Sequence, residues 1–212
     1  MKLGNSEAAV DAFSKSIQFD PGQPQIYYYR GVAYHALNQF EEALSDFNEV
    51  LQRDPENDAA YRDRGLTNFI LNFYDAAVAD FNMALKYNQD DAQVFRGRAD
   101  VYYQQGRYPE AIADYSDAIH LDPQDATSYL GRGLSFEGAE NFEKALADYD
   151  KSIKLDPNSA LAFADRGRIF GLLNQFPKAL QDYHEAIRLD PHFAGAIDER
   201  GKIYHALDRL AE

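Results

Sequence analysis

The dipeptide Asp-Pro recurs along the chain with a spacing of 34 residues or twice that. Asn-Gln replaces it at 88–89, and the Asp-Pro copies lie at 20–21, 54–55, 122–123, 156–157 and 190–191. A fixed period of this length indicates an architecture of repeated structural units. With the proline at position 32 of each unit, the chain divides without gaps. The complete repeats are 24–57, 58–91, 92–125, 126–159 and 160–193, with partial repeats at 1–23 and 194–212.

Each repeat contains two apolar stripes with helical spacing. The first has an aromatic residue at position 4, a tiny residue at 8 and usually an aromatic at 11, as in Tyr27, Gly31 and Tyr34. The second has Ala at 20 and an aromatic at 24, as in Ala43 and Phe47. Spacings of i, i+4 and i+7 place each set on one helix face. A tiny residue opposite a ring lets two helices approach closely, so the pattern predicts a helix–turn–helix unit.

The residues between the stripes agree with this unit. Helix stops are expected where Asn or Gly tolerates a left-handed turn, at Asn38, Asn72, Gly106 and Asn174. Second helices are expected to begin near Pro109 and Pro177, where a missing N–H costs little. N-caps of first helices are expected at Asn57, Asp91, Asp125 and Ser159.

Together these residues resemble the tetratricopeptide repeat (TPR) family over the whole chain. The resemblance implies an all-α, right-handed superhelical solenoid in which first helices line a concave groove. It implies that residues 1–212 form one solenoid domain, because a repeat buries its apolar face only against its neighbours. It also implies a scaffold that binds a peptide segment or a protein surface in the groove.

Two charged residues recur inside the apolar stripes. Position 7 is Arg in every copy that includes it, at Arg30, Arg64, Arg98, Arg132, Arg166 and Arg200. Position 23 is Asp in the five complete repeats, at Asp46, Asp80, Asp114, Asp148 and Asp182. A buried charge needs a partner, so we expect each Arg to pair with this Asp or with the Asp before the proline. An Arg ladder that reads phosphates or carboxylates of a ligand is the alternative interpretation.

Composition and motifs point away from catalysis and cofactors. The formal net charge of −14 disfavours nucleic acid and anionic membranes, and no apolar stretch is long enough for membrane insertion. Cys is absent. No metal-ligand spacing arises from the histidines, His35, His120, His184, His192 and His205. We therefore expect no enzyme activity, no metal and no cofactor, and a cytoplasmic location, although the periplasm is also compatible.

Positions 2, 5, 9 and 12 form a second face of each first helix, which we call the first-helix face. By resemblance to the family this face lines the groove, and its mixture of apolar, aromatic and Arg side chains is typical of binding hot spots. The predicted partner-binding residues are Tyr28, Val32, Arg62, Leu66, Phe69, Arg96, Tyr103, Leu130, Leu134 and Arg168. Packing between neighbouring first helices is the alternative explanation for these residues.

The same face also indicates the type of ligand. Family members that clamp a carboxylate-terminated chaperone tail use Lys, Asn and Arg at set positions, where this chain has a single Lys, Lys202, at a position that holds Asn in the clamp, and no Asn. A segment with apolar anchors fits better, with acidic side chains meeting Arg62, Arg96 and Arg168. Helix-interior glycines indicate either room for a ligand or tight helix contacts, at Gly97, Gly131, Gly138 and Gly171.

Both ends of the sequence interrupt a repeat, which predicts an unpartnered helix at about 6–19 and another at about 194–207. We therefore expect a fragment of a longer protein. Self-association is a further expectation, because the two exposed ends are complementary halves of one repeat and head-to-tail stacking would join them. Two other functions stay open: a targeting or regulatory module of a larger enzyme, and a structural assembly unit that associates through its end helices.

Overall fold

The structure is a computed structural model that describes residues 3–210, with side chains over 5–208. The described residues form α-helices and contain no strand. The fold is an all-α helical repeat solenoid, as the sequence predicts. In chain order the helices are α1 (Leu3–Phe19), α2 (Pro24–Ala36), α3 (Phe40–Arg53), α4 (Asp58–Ile70), α5 (Tyr74–Tyr87), α6 (Ala92–Gln104), α7 (Tyr108–Leu121), α8 (Ala126–Gly138), α9 (Phe142–Leu155), α10 (Ala160–Leu172), α11 (Phe176–Leu189) and α12 (Ala194–Leu210).

The chain divides into two compact units, one up to Val101 and the other from Tyr102, so the boundary lies within α6. In the first unit α2 packs on α3 and α4 on α5, and α3 also packs on α4. In the second unit α8 packs on α9 and α10 on α11, and α9 also packs on α10. Each unit is therefore a stack of helical hairpins. That residues 1–212 form one domain stays a prediction.

The core of each hairpin is an aromatic ring that lies against a glycine. A Cβ atom added to Gly31 would lie 2.9 Å from Phe47 Cε1, and one added to Gly133 would lie 2.7 Å from Tyr149 Cε1. Phe47 and Tyr149 are fully buried. The tiny residue at position 8 thus makes room for the ring at position 24, as the spacing predicts.

Helix ends follow the predicted turn residues. Asn38 and Gly106 have φ of 58° and 71°, and Asn57 Oδ1 accepts a hydrogen bond from Ala60 N at 2.9 Å. The predicted end helices are each about three residues too short, because α1 begins at Leu3 and α12 runs to Leu210. In α12 the place of the helix-ending Asn or Gly is taken by Asp208, so the helix continues through it.

Four Arg residues of the stripe form ion pairs with the Asp sixteen residues later in the same hairpin. The guanidinium nitrogens approach the carboxylate oxygens to 2.5–2.7 Å, and these Asp side chains are only 4–9% exposed. Such two-point contacts fix the geometry of both helices. The pairs are Arg30–Asp46, Arg64–Asp80, Arg132–Asp148 and Arg166–Asp182.

Each of these Arg residues also donates to a polar side chain sixteen residues earlier, on the second helix of the preceding repeat. Arg132, for example, reaches Ser116 Oγ at 3.1 Å, and its guanidinium lies over the rings of Tyr129 and Phe136. Arg98 makes the equivalent bond to Asn82 at 2.5 Å, and its pairing with Asp114 stays a prediction. We call this three-helix contact the Arg brace.

Candidate binding groove

The ten predicted partner-binding residues are all half-buried. They lie on α2, α4, α6, α8 and α10, which are the first helices of the five complete repeats. A half-buried position contacts neighbouring residues while part of its side chain stays accessible. The face is therefore neither a closed core nor a fully solvated surface.

The first unit has a cavity of about 140 Å³ between α2 and α4. Of the predicted residues, Val32 and Leu66 line this α2/α4 cavity. The other lining residues were not in the predicted set, and they are His35, Phe47 and Asp63. Burial lowers the pKa of His35, whose Nδ1 lies 2.9 Å from Thr67 Oγ1.

One wall of the α2/α4 cavity is a network centred on Asp63. Tyr28 donates to Asp63 Oδ2 at 2.8 Å, and Arg62 Nε donates to Asp63 Oδ1 at 2.9 Å. Arg62 also donates to Asp91 at 3.1 Å. Burial, reinforced by the Asp63 carboxylate, raises the pKa of Tyr28 to about 12. Both Tyr28 and Arg62 thus fix Asp63 in place beside the cavity.

The second unit has two adjoining cavities beside α10 and α12, which share Arg168, Tyr183 and Glu199. The larger α10/α12 cavity has a volume of about 340 Å³ and is also lined by Leu161, Ala164, Asp165, Phe193, Gly195, Ala196 and Asp198. The smaller α10/α12 cavity has a volume of about 260 Å³ and is also lined by Gly171, Leu172, Phe176, Lys202, Ile203 and Ala206.

Arg168 bridges two carboxylates beside these cavities. Its Nη1 pairs with Glu137, and its Nη2 donates to Asp165 Oδ1 at 2.8 Å. Tyr149 donates to Glu137 Oε2 at 2.8 Å. Carboxylates of the chain itself already pair with both Arg62 and Arg168, and that acidic ligand side chains meet these residues stays a prediction.

Other predicted residues lie outside the cavities described above. Leu130 and Leu134 pack against the cluster around Tyr149 and Ile169. Phe69 packs beside Tyr74 with ring centroids 6.1 Å apart, and Tyr103 lies similarly close to Tyr108. Arg96 is half-buried on α6 and has interactions of its own. Leu130 and Leu134 thus pack between helices.

The four helix-interior glycines differ in how closely neighbouring side chains approach them. A Cβ added to Gly97 would lie 2.8 Å from Phe81 Cζ, and Cβ atoms added to Gly131 and Gly138 would lie still closer to Tyr115 and Tyr108. These three are close helix contacts rather than room for a ligand. Gly171 is different, because an added Cβ would meet only Ile203 Cδ1 at 3.8 Å.

The residues that the sequence analysis missed occupy positions 6 and 24. Asp63 and Asp165 stand at position 6, and the cavity rings Phe47 and Tyr183 at position 24. An acidic residue recurring next to the predicted face was a usable signal. The ring positions were assigned only to the core, because a side chain that fills a hairpin and also borders a cavity gives no separate pattern.

Over residues 5–208, no group of three or more His, Asp or Glu side chains could hold a metal ion. None of the helices described in residues 3–210 is both long enough and apolar enough to cross a membrane.

Protein-family comparison identifies the repeat. A model described as TPR repeat matches residues 1–38 and 99–138, and one described as tetratricopeptide repeat matches 24–57 and 126–159. Together they cover more than half of the chain. The chain belongs to the tetratricopeptide repeat family.

Solved structures with the same fold include several TPR proteins. YrrB, described as a TPR protein with an unusual peptide-binding site, is 21% identical, with a TM-score of 0.74 over 91% of this chain and 99% of YrrB. MamA 41-end from Desulfovibrio magneticus RS-1 is 20% identical, with a TM-score of 0.74 over 81% of this chain and 97% of that one. The first TPR of Spaghetti (RPAP3), bound to the HSP90 peptide SRMEEVD, is 27% identical, with a TM-score of 0.54 over 55% and 93%. No curated protein sequence matches the chain.

Proposed function

We propose that this protein is an interaction scaffold that binds a peptide segment or a protein surface along the accessible side of its first helices. The observation that supports this proposal is a cavity that recurs at equivalent repeat positions. The α2/α4 cavity and the smaller α10/α12 cavity are both lined by positions 9, 12 and 24 of one repeat and positions 6 and 9 of the next. Regularly placed pockets suit the side chains of a bound segment.

The related structures support the same type of ligand. YrrB has a peptide-binding site by its description, and the Spaghetti domain is bound to a peptide rich in Glu and Asp. This chain lacks the Lys and Arg set of the carboxylate clamp, and its own carboxylates pair with Arg62 and Arg168. We propose binding without a catalytic step, to a segment of different charge from the HSP90 peptide.

A peptide-display selection tests the proposal. The immobilised protein would select from a random 12-residue library, and selected peptides would be titrated by fluorescence anisotropy. Leu161 lines the larger α10/α12 cavity and is 48% exposed, so Leu161→Gln, which removes an apolar contact without adding charge, should reduce affinity roughly tenfold without unfolding the protein. The matched control is Leu173→Gln, at a 40% exposed leucine after α10 that does not line either α10/α12 cavity. Failure to enrich any peptide, or equal affinity loss in both variants, would contradict groove binding.

A second candidate function is self-association through α12. This helix exposes Ile197, Tyr204 and Leu207, which are 42%, 45% and 37% exposed. Large apolar side chains grouped on one helix are typical of an association surface. Sedimentation velocity over a hundredfold concentration range tests it, because association predicts a rising sedimentation coefficient that Ile197→Glu abolishes. A constant monomer would exclude this candidate and leave the groove proposal intact.

A further inference from the structure

Asp165, on α10, is a buried carboxylate with one unpaired oxygen. The residue is 8% exposed, and its Oδ1 accepts the hydrogen bond from Arg168. Its Oδ2 is buried and has no hydrogen-bond partner among the described residues. Buried carboxylate oxygens are normally hydrogen-bonded, because the water that they lose is otherwise not replaced. Since Asp165 lines the larger α10/α12 cavity, the missing donor can come from a ligand.

Arg168 does not fully neutralise Asp165, because it also pairs with Glu137. The phenols of Tyr103, Tyr149 and Tyr183 also lie near Asp165 and supply no positive charge. Burial accordingly raises the pKa of Asp165 to about 7. A cation placed beside Oδ2 would compensate both the lost hydration and the lost hydrogen bond.

The charges around the larger α10/α12 cavity are unbalanced. On the α12 side Asp198 and Glu199 both pair with Lys202, at 2.8 and 2.7 Å. Two cations, Arg168 and Lys202, are thus shared among four carboxylates. These carboxylates are Glu137, Asp165, Asp198 and Glu199. The arrangement leaves a surplus of negative charge, which favours a basic ligand group.

We propose that the larger α10/α12 cavity binds a Lys or Arg side chain of the recognised segment, with its cationic group donating to Asp165 Oδ2. This inference rests on the proposed function, which supplies the segment. A volume of about 340 Å³ is at the lower end for ligand sites and suits one long side chain. The rings of Tyr183 and Phe193 line the cavity where the aliphatic part of that side chain would lie.

An alternative role for Asp165 is to hold Arg168 in place. In that case Asp165→Asn would weaken all peptides alike, whether or not they contain a basic residue. A direct contact between Asp165 and a ligand cation predicts instead that the effects of removing the two charges are coupled. Loss of the Asp165 charge should weaken only peptides that present a cation, and loss of the cation should make Asp165→Asn harmless.

The experiment is a double-mutant cycle on the peptides selected from the random library. The wild-type consensus should contain Lys or Arg at one fixed position, and Asp165→Asn should raise its Kd at least roughly tenfold, as expected for a lost charge-assisted hydrogen bond. Replacing that residue by norleucine should raise the wild-type Kd similarly and leave Asp165→Asn with no further effect. Glu185→Gln, which removes a charge from the exposed Glu185–Arg188 pair on α11, is the control and should bind like wild type.

Each other outcome is decisive. Selected peptides without a fixed basic residue, or basic peptides that bind Asp165→Asn as tightly as wild type, would overturn the inference and leave the proposed function standing. A wild-type protein that enriches no peptide would overturn both. Circular dichroism should show the same helicity for wild type and Asp165→Asn, since the two side chains have the same shape.

Discussion

The α2/α4 cavity and the smaller α10/α12 cavity occupy equivalent repeat positions but have opposite character. The first is mainly apolar, whereas the second has a cation at both of its position-9 residues. Only the aromatic ring at position 24 and the carboxylate at position 6 are common to both. The equivalent residues are Val32 and Arg168, His35 and Gly171, Phe47 and Tyr183, Asp63 and Glu199, and Leu66 and Lys202.

The difference between the two cavities shows which repeat positions build the fold and which can vary to determine what the cavity binds. Positions 7 and 23, which form the Arg brace, have the same residue type in both units, and position 24 is always aromatic. Positions 9 and 12 border the cavities without taking part in the brace, so they can change without disturbing it. The same repeat architecture therefore offers an apolar site in the first unit and a charged site in the second.

The largest expected effect comes from the brace that the two units share. Asp46→Ala and Asp148→Ala each leave a partly buried Arg with only a Ser as its second partner, so both should lower the free energy of unfolding by about 3 kcal/mol. Asp182→Ala should cost less, because Arg166 keeps its contact with Asp150. Urea unfolding measures all three. Unequal losses of stability for Asp46→Ala and Asp148→Ala would show that the Arg brace contributes differently in the two units.

A smaller effect is the pH dependence of stability that Asp165 adds to the second unit. Its pKa is about 7 in the folded protein, against 3.8 ordinarily, so between these values the folded state holds a proton that the unfolded state has released. Stability therefore falls as pH rises from about 4 to 7 and changes no further from this group above 7. Asp165→Asn removes that loss.

Urea unfolding at pH 5 and pH 8 checks this prediction. Relative to wild type, Asp165→Asn should gain about 2 kcal/mol of stability between the two values, less than the full shift implies because the part of the shift below pH 5 lies outside this range. A constant difference between wild type and Asp165→Asn would contradict an ionisation held back by burial.

Next in size is a contrast between two glycines. Gly171 stands at position 12, where the first complete repeat has His35, and an added Cβ would make only an ordinary contact, so Gly171→Ala should raise the free energy of unfolding by up to about 1 kcal/mol through helix propensity. Gly97→Ala would press on the Phe81 ring and should lower it by about 1 kcal/mol. Thermal unfolding of both variants checks this. A loss in Gly171→Ala would mean that the space beside it is needed.

The Arg–Asp pairing within each hairpin was predictable from the sequence because it repeats. Arg30 and Asp46 recur with one spacing, and a charge within an apolar stripe requires a partner, so the hairpin contact followed from the pattern. The third arm of the brace was missed because its acceptors vary in type, being Ser, Asn or Asp. In each of these braces the residue at position 25 accepts a hydrogen bond from the Arg, but its changing type conceals this role in the sequence.

The candidate site was less predictable, for a physical reason. Leu134 and Val32 share position 9, yet Leu134 packs into a cluster while Val32 borders a cavity. Whether a half-buried side chain faces a void depends on the size of its neighbours, which repeat position alone does not specify. The unpaired oxygen of Asp165 likewise depends on how Arg168 divides its contacts, and that requires coordinates.

The smallest expected effect on stability comes from Lys202, the residue that makes the smaller α10/α12 cavity charged where Leu66 makes its counterpart apolar. Lys202 is exposed, so Lys202→Gln should leave the urea midpoint unchanged. It releases Asp198 and Glu199 from their shared cation, however, so a basic peptide should bind about two- to threefold more tightly at low salt. The gain should vanish at high salt, where exposed charges are screened, and Lys178→Gln on α11 is the control for net charge. Weaker binding by Lys202→Gln would instead place an acidic group of the ligand beside Lys202 and contradict the proposed preference for a basic ligand.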